Sequence, residues 1–138
     1  MFPSRLIIAA CAVLMCVVAP VHAAAPSDTL YEQLQKPAHK AAWHKLIAGQ
    51  KRADPWLKHY ARTFDGPVAP GYPVTIDSVD HVVYNVCKTH DCGSNMFHVV
   101  FTPDGKKAWG LLVNGDRQTP FGNPDAPHLK ALRDAVGK

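Results

Sequence analysis

The feature that most narrows the fold is a change of hydrophobic period along the chain. Before residue 64 the apolar residues recur at helical spacing; after residue 72 they alternate, one face then the other, as strands require. In the first half, Thr29 and Glu32 are spaced as a capping box, with Leu30 and Leu34 one turn apart, and Pro37 is expected to end that short helix. A second helix is expected over residues 38–48, gathering Trp43, Leu46 and Ile47 on one face before Gly49 caps it. A third starts where Asp54 can cap the free amides and Pro55 occupies the first helical position; Trp56, Leu57 and Tyr60 supply its buried face. Residues 64–72, rich in Gly and Pro, read as a loop.

The second half reads as hairpins. Residues 74–76 form a short strand, which Asp77-Ser78 turns into a strand over 79–86 with Val82, Tyr84 and Val86 on one face. Phe97, Val99 and Phe101 line the next strand, and Pro103-Asp104-Gly105 turns it into residues 107–113. Asn114-Gly115 marks another turn, and a last helix, capped by Asp125, carries Leu129, Leu132 and Val136 before Gly137. Hairpin-length connections and no strand-helix-strand alternation give an α+β class: a small, mainly antiparallel sheet with helices packed on one side, in a single domain.

The compartment follows from the first residues. Arg5 is the only charge among the first 23, residues 6–18 are an unbroken apolar run, and Val21-His22-Ala23 suits cleavage after Ala23. Residues 1–23 therefore read as a signal peptide that is removed, and residues 24–138 as the exported domain. Ile8-Ala9-Ala10-Cys11 has the look of a lipidation box, but most of the apolar run follows Cys11 instead of preceding it. The run is shorter than the roughly 20 residues of a membrane-spanning helix. Removing the leader leaves 14 basic against 11 acidic side chains, with both signs spread along the chain and no basic stripe interleaved with aromatics, which speaks against nucleic acid as a partner. It also takes away Cys11 and Cys16. One pair remains, Cys87 and Cys92, in an oxidising compartment, and these are expected to be bonded to each other.

The ring so closed holds only Lys88, Thr89, His90 and Asp91, between two apolar strands, so it must project from a strand end into solvent. Its plainest meaning is a stabilised hairpin tip. Zinc ligation by Cys87, Cys92 and His90, with help from His81 or His98, lacks the usual ligand spacing, and thiol exchange would want two residues between the cysteines and a helix start beside them. No metal or other cofactor is expected. His39, His44 and His59 fall beside lysines on solvated helix faces, while His81 and His98 lie on strands flanking the ring. Trp43, Trp56 and Trp109 are assigned to packing. Phosphate loops, nucleophile elbows and HExxH helices are all missing from the sequence.

The stretch CKTHDCGSN at residues 87–95 resembles the signature CKPHDC loop of the Ivy family, inhibitors of vertebrate lysozyme found in Gram-negative bacteria. Lys40-Ala41-Ala42-Trp43, Pro55-Trp56, Val74-Thr75-Ile76 and Trp109-Gly110-Leu111 occur in the family's order and approximate spacing, so the likeness covers most of residues 38–113. The resemblance implies a periplasmic, non-enzymatic inhibitor of c-type lysozyme whose loop enters the lysozyme cleft. It makes His90 the residue that meets the two catalytic carboxylates, with Lys88 and Asp91 orienting the loop or touching the cleft walls, and Asp91 an alternative partner for His90 itself. Such enzymes need one carboxyl protonated and one ionised, and an imidazolium between them would favour ionisation of both. Thr89 stands where the family usually has proline, which puts inhibitory strength in question. Two other readings stay open at this point: a small periplasmic hydrolase using His90 and Asp91, and an envelope binding module of the same fold. A homodimer is compatible with all of them.

Overall fold

The computed structural model describes residues 28–51 and 53–138; the signal peptide expected over residues 1–23 and the expected start of the domain at 24 lie outside the described residues. Helix α1 (Leu30–Gln33) opens on Thr29, whose amide donates to the Glu32 carboxylate at 2.6 Å, the capping box expected from the spacing. Helix α2 (Pro37–Ala48) begins on the proline itself, because a first-turn residue needs no N–H and proline's φ is already helical. It buries Ala42, Trp43, Leu46 and Ile47. Gly49 is its C-cap, but with a right-handed φ of −67° the stop makes no use of glycine's left-handed freedom. Helix α3 (Pro55–Thr63) follows the N-cap Asp54 and buries Leu57, Tyr60 and Ala61, with Trp56 half-buried. The Asp54 carboxylate does not cap the helix; it accepts a hydrogen bond from Asn114, far along the chain.

Five antiparallel strands follow in sequence order: β1 (Val68–Ile76), β2 (Val79–Cys87), β3 (Asn95–Phe101), β4 (Ala108–Asn114) and β5 (Arg117–Phe121). Asp77 and Ser78 both have positive φ, 49° and 65°, the two-residue turn whose twist suits a hairpin. Two expectations are corrected here. Strand β1 starts at Val68, so much of the stretch read as a loop is sheet: a bulge between Ala69 and Tyr72 absorbs Pro70 and Gly71, and an edge strand tolerates the missing N–H groups of proline. The close approach also needs glycine, since a Cβ at Gly71 would lie 2.3 Å from Val82 Cγ1. Strand β5, polar and containing Pro120, is the opposite edge and gave no apolar alternation to read.

The expected placement of helices on one side holds for α1, α2 and α3, which cover Tyr84, Val86, Phe97, Val99, Phe101 and Leu112. Helix α4 (Ala126–Asp134), capped by Asp125 through the His128 amide at 3.1 Å, lies on the opposite face instead. There Ala131, Leu132 and Ala135 pack with Ile76, Val83, Val100, Trp109 and Leu111. The sheet thus has an apolar layer on each side, and a second cover is what those residues require. The larger layer centres on Trp43, fully buried, whose ring meets Phe97 and Tyr60 edge-on at 5.5 and 5.9 Å.

His98 lies on the α4 side of β3, 2% exposed, with neither ring nitrogen bonded to a described residue. Burial holds it neutral, its pKa below the ordinary 6.5. As pH falls through that value the unfolded chain gains a proton that the native ring refuses, so stability present at neutral pH is lost on acidification. The loss approaches about 1.4 kcal/mol per pH unit for one such group. Replacing His98→Leu is expected to flatten the difference in urea midpoint between pH 7.5 and pH 5, leaving the smaller slope from His39, which burial shifts the same way. An unchanged slope would assign the acid sensitivity elsewhere.

Candidate binding loop

The ring between β2 and β3 closes as expected, Cys87 to Cys92, with Cα atoms 4.9 Å apart. Cys87 is buried at the end of β2, while Lys88, Thr89 and His90 are exposed and Asp91 half-exposed. The ladder continues one step past the Cys87–Met96 pair, the Lys88 amide donating to the Asn95 carbonyl at 3.0 Å. The Asp91 amide then donates to the Lys88 carbonyl at 2.9 Å, and the Asn95 amide to the Asp91 carbonyl at 3.0 Å. Residues 88–91 are therefore a β-turn with Thr89 and His90 at its corners. His90 has φ +65° and Thr89 does not share the positive sign, which is the type II pattern. Glycine or asparagine normally fills that second corner, and a histidine there holds its backbone in a left-handed conformation at a cost of about 1 kcal/mol. The result is an imidazole at the outermost corner of a covalently closed turn.

Lys88 and Asp91 face each other, Nζ to Oδ2 at 3.7 Å, with both side chains partly exposed. Such a pair contributes at most a few tenths of a kcal/mol up to about 1. The Asp91 carboxylate is taken by Asn95 Nδ2 at 2.6 Å and by Lys88, so it anchors the ring's base and is not the local partner of His90. Its other anchor points escaped the sequence reading. Asn114 Nδ2 donates to Asn95 Oδ1 and to Asp54 Oδ2, both at 2.7 Å, and the Gly115 amide to the Ser94 carbonyl at 2.7 Å. These polar residues are scattered through the sequence; the β3–β4 register sets Asn95 opposite Asn114, and the start of α3 brings Asp54 to the same end of the sheet.

Beside the ring lies a recess of about 150 Å³ lined by residues that include Trp56, Tyr60, Lys88 and Thr89. Ligand pockets usually offer about 300 Å³ or more, and neither His90 nor Asp91 lines this smaller recess, so it lends the hydrolase reading no support. The bridge consumes both thiols, which removes them as zinc ligands. Among the described residues no group of three or more His, Cys, Asp or Glu side chains is placed to hold a metal. His81 is half-exposed with Nδ1 2.9 Å from the Val79 carbonyl, and His98 is buried, so neither flanks the ring as a second contact. No described helix is long and apolar enough to cross a membrane.

The turn type also bears on Thr89. Position two of a type II turn favours proline, and the Thr89 amide donates to no carbonyl among the described backbone bonds. Thr89→Pro is expected to raise stability by about 0.4–1 kcal/mol, chiefly by restricting the unfolded chain. The check is a thermal unfolding midpoint a few degrees above the parent's; a lower midpoint would mean that the Thr89 φ does not suit proline.

A family model described as Inhibitor of vertebrate lysozyme (Ivy) matches residues 38–136. A protein of Yersinia pestis, named only as an uncharacterized protein, is 37% identical over 101 residues, covering 72% of this chain and 63% of that protein. Proteins named Inhibitor of vertebrate lysozyme are similar in Pseudomonas aeruginosa strain PAO1, 34% identical over 85 residues (62% of this chain, 53% of that protein), and in Escherichia coli strain K12, 29% over 80 residues (58% and 47%). The matched stretch spans about half to two thirds of the length of these relatives. The loop motif, the strands that carry it and the match over residues 38–136 together establish that this chain belongs to the Ivy family.

Proposed function

We propose that this protein is an inhibitor of c-type lysozyme that works in the periplasm after removal of residues 1–23, and that it acts by lodging the Cys87–Cys92 ring in the lysozyme cleft. The observation that carries the reading is His90 itself: an exposed imidazole at the corner of a bridged turn, held in a backbone conformation that histidine seldom adopts. Family membership and the names of the relatives in Pseudomonas and Escherichia supply the target. The role is binding and not catalysis: the ring fills the sugar site, and His90 offers hydrogen bonds to two carboxyl groups that must differ in protonation for the glycosidase to turn over. Lys88, Thr89 and Asp91 shape the ring, and Cys87 and Cys92 keep it shaped while unbound, which lowers the ordering cost of docking.

Titrating the secreted chain into a vertebrate lysozyme acting on bacterial cell walls tests this. Stoichiometric loss of lysis is expected, and the exported protein is expected to begin at Ala24 on N-terminal sequencing. Undiminished lysis at excess protein would contradict the reading.

A further inference from the structure

Resting on the reading just given, we propose that Asn114 and Asn95 are positioning residues for His90, forming a hydrogen-bond relay that fixes the ring to the start of α3. The relay runs Asp54, Asn114, Asn95, Asp91, drawn from the N-cap of α3, the end of β4, the start of β3 and the ring. Chemistry dictates its direction. Both ends are carboxylates, which accept only, so Asn114 must turn its NH₂ toward Asp54 Oδ2. Its second hydrogen then meets Asn95 Oδ1, which leaves Asn95 Nδ2 to donate to Asp91 Oδ2. Each amide is oriented by its neighbour, and all three bonds, at 2.6–2.7 Å, are partly buried.

The consequence falls on His90. Asp91 follows it directly, and the Asp91 amide closes the turn on the Lys88 carbonyl. Holding the Asp91 side chain therefore holds the closing residue of the turn, and with it the left-handed pose of the imidazole one residue before. The bridge constrains the ring's closure, and the backbone bonds of Lys88 and Asp91 with Asn95 tie its base to β3, which leaves its tilt to be steadied by side chains. Asn95 and Asn114, with the Gly115 amide on the Ser94 carbonyl, supply that tilt. This explains why Asp54, a residue well placed to cap its own helix, spends its carboxylate on Asn114 instead.

The test uses the secreted chain with a vertebrate c-type lysozyme as the probe, and reads Kd, the unfolding midpoint, and ¹⁵N order parameters for the Thr89, His90 and Asp91 amides of the free protein. Asn114→Ala is expected to bind about tenfold more weakly, since the ring must then be ordered on docking. Its order parameters should fall from about 0.85 toward about 0.6. The deciding variant is the exchange Asp54→Asn with Asn114→Asp. It restores a donor and an acceptor between α3 and β4, so stability returns. The carboxylate now at position 114 has no hydrogen for Asn95 Oδ1, and an Asn95 amide turned to give it the NH₂ sets its own oxygen against the Asp91 carboxylate. Recovered stability with binding still about tenfold weak and the ring mobile is the expected result. Binding and ring order that recover together with stability, or an Asn114→Ala protein that binds like the parent, would overturn the relay. If Asn114→Ala does not fold, Asn95→Ser and the exchange carry the same comparison. A parent that binds no lysozyme would sink the lysozyme reading instead, and the order parameters would then decide the relay by themselves.

Discussion

Replacing His90 with glycine is expected to strengthen the free protein and destroy its hold on lysozyme. The two effects have separate origins. Glycine adopts the left-handed corner without Cβ strain, so His90→Gly is expected to raise stability by roughly 1 kcal/mol, offset in part by the added freedom of the unfolded chain. The imidazole is exposed and is not part of the core, so its removal opens no cavity. Binding, by contrast, is expected to lose the side chain that the proposal sets against both carboxyl groups. A central anchor of this kind is typically responsible for 2–4 kcal/mol, which is a thirtyfold to several-hundredfold rise in Kd. His90→Ala should lose the same affinity without the gain in stability, and His90→Asn, which tolerates the corner and keeps hydrogen-bonding groups, should fall between. Equal binding by all four proteins would remove His90 from the interface.

Trp43→Ala is expected to have the largest effect on the fold and the smallest on the ring. Trp43 is completely buried beneath α2, with Phe97 and Tyr60 against its edges, and Phe97 in turn meets Phe121 at 5.0 Å. Truncating a buried tryptophan costs about 3–5 kcal/mol in lost transfer energy and unfilled space. That is a large share of the 5–15 kcal/mol available to an ordinary domain, and a drop of roughly 15–25 °C in midpoint is expected. The molecules that remain folded keep the bridge, the turn and the relay, none of whose bonds involves Trp43. Lysozyme affinity corrected for the folded fraction should therefore stay within about twofold of the parent. A midpoint within 5 °C of the parent's would show that the layer under α2 is not the main core.

The parts legible in the sequence are those where a local rule and the tertiary structure agree. Val82, Tyr84 and Val86, and then Phe97, Val99 and Phe101, alternate as expected and do share a layer. The edges were not legible, because β5 buries only Phe121 and β1 carries Pro70 and Pro73, residues that ordinarily argue against a strand. The second apolar layer left a signal that went unused. Residues 82–84 and 99–101 are apolar without a break, and a strand covered on both faces reads that way, so α4 could have been placed opposite the other helices. At the site, the cysteine pair and its polar filling announced a projecting ring. The left-handed corner at His90 could not be read, since it depends on how the bridge and the Lys88–Asp91 bond close the turn together. Nor could the relay, because Asp54 and Asn114 are 60 residues apart, and Asn114 meets Asn95 only through the register of β3 with β4 and Asp54 only where the start of α3 reaches the end of β4.

The most direct measurement is a structure of residues 24–138 bound to a vertebrate c-type lysozyme. The ring should occupy the cleft with the His90 imidazole within roughly 3.2 Å of both catalytic carboxyl groups, its φ still positive and Asp91 still bonded to Asn95. A complex formed through any other surface, with His90 in solvent, would contradict the proposal at its centre.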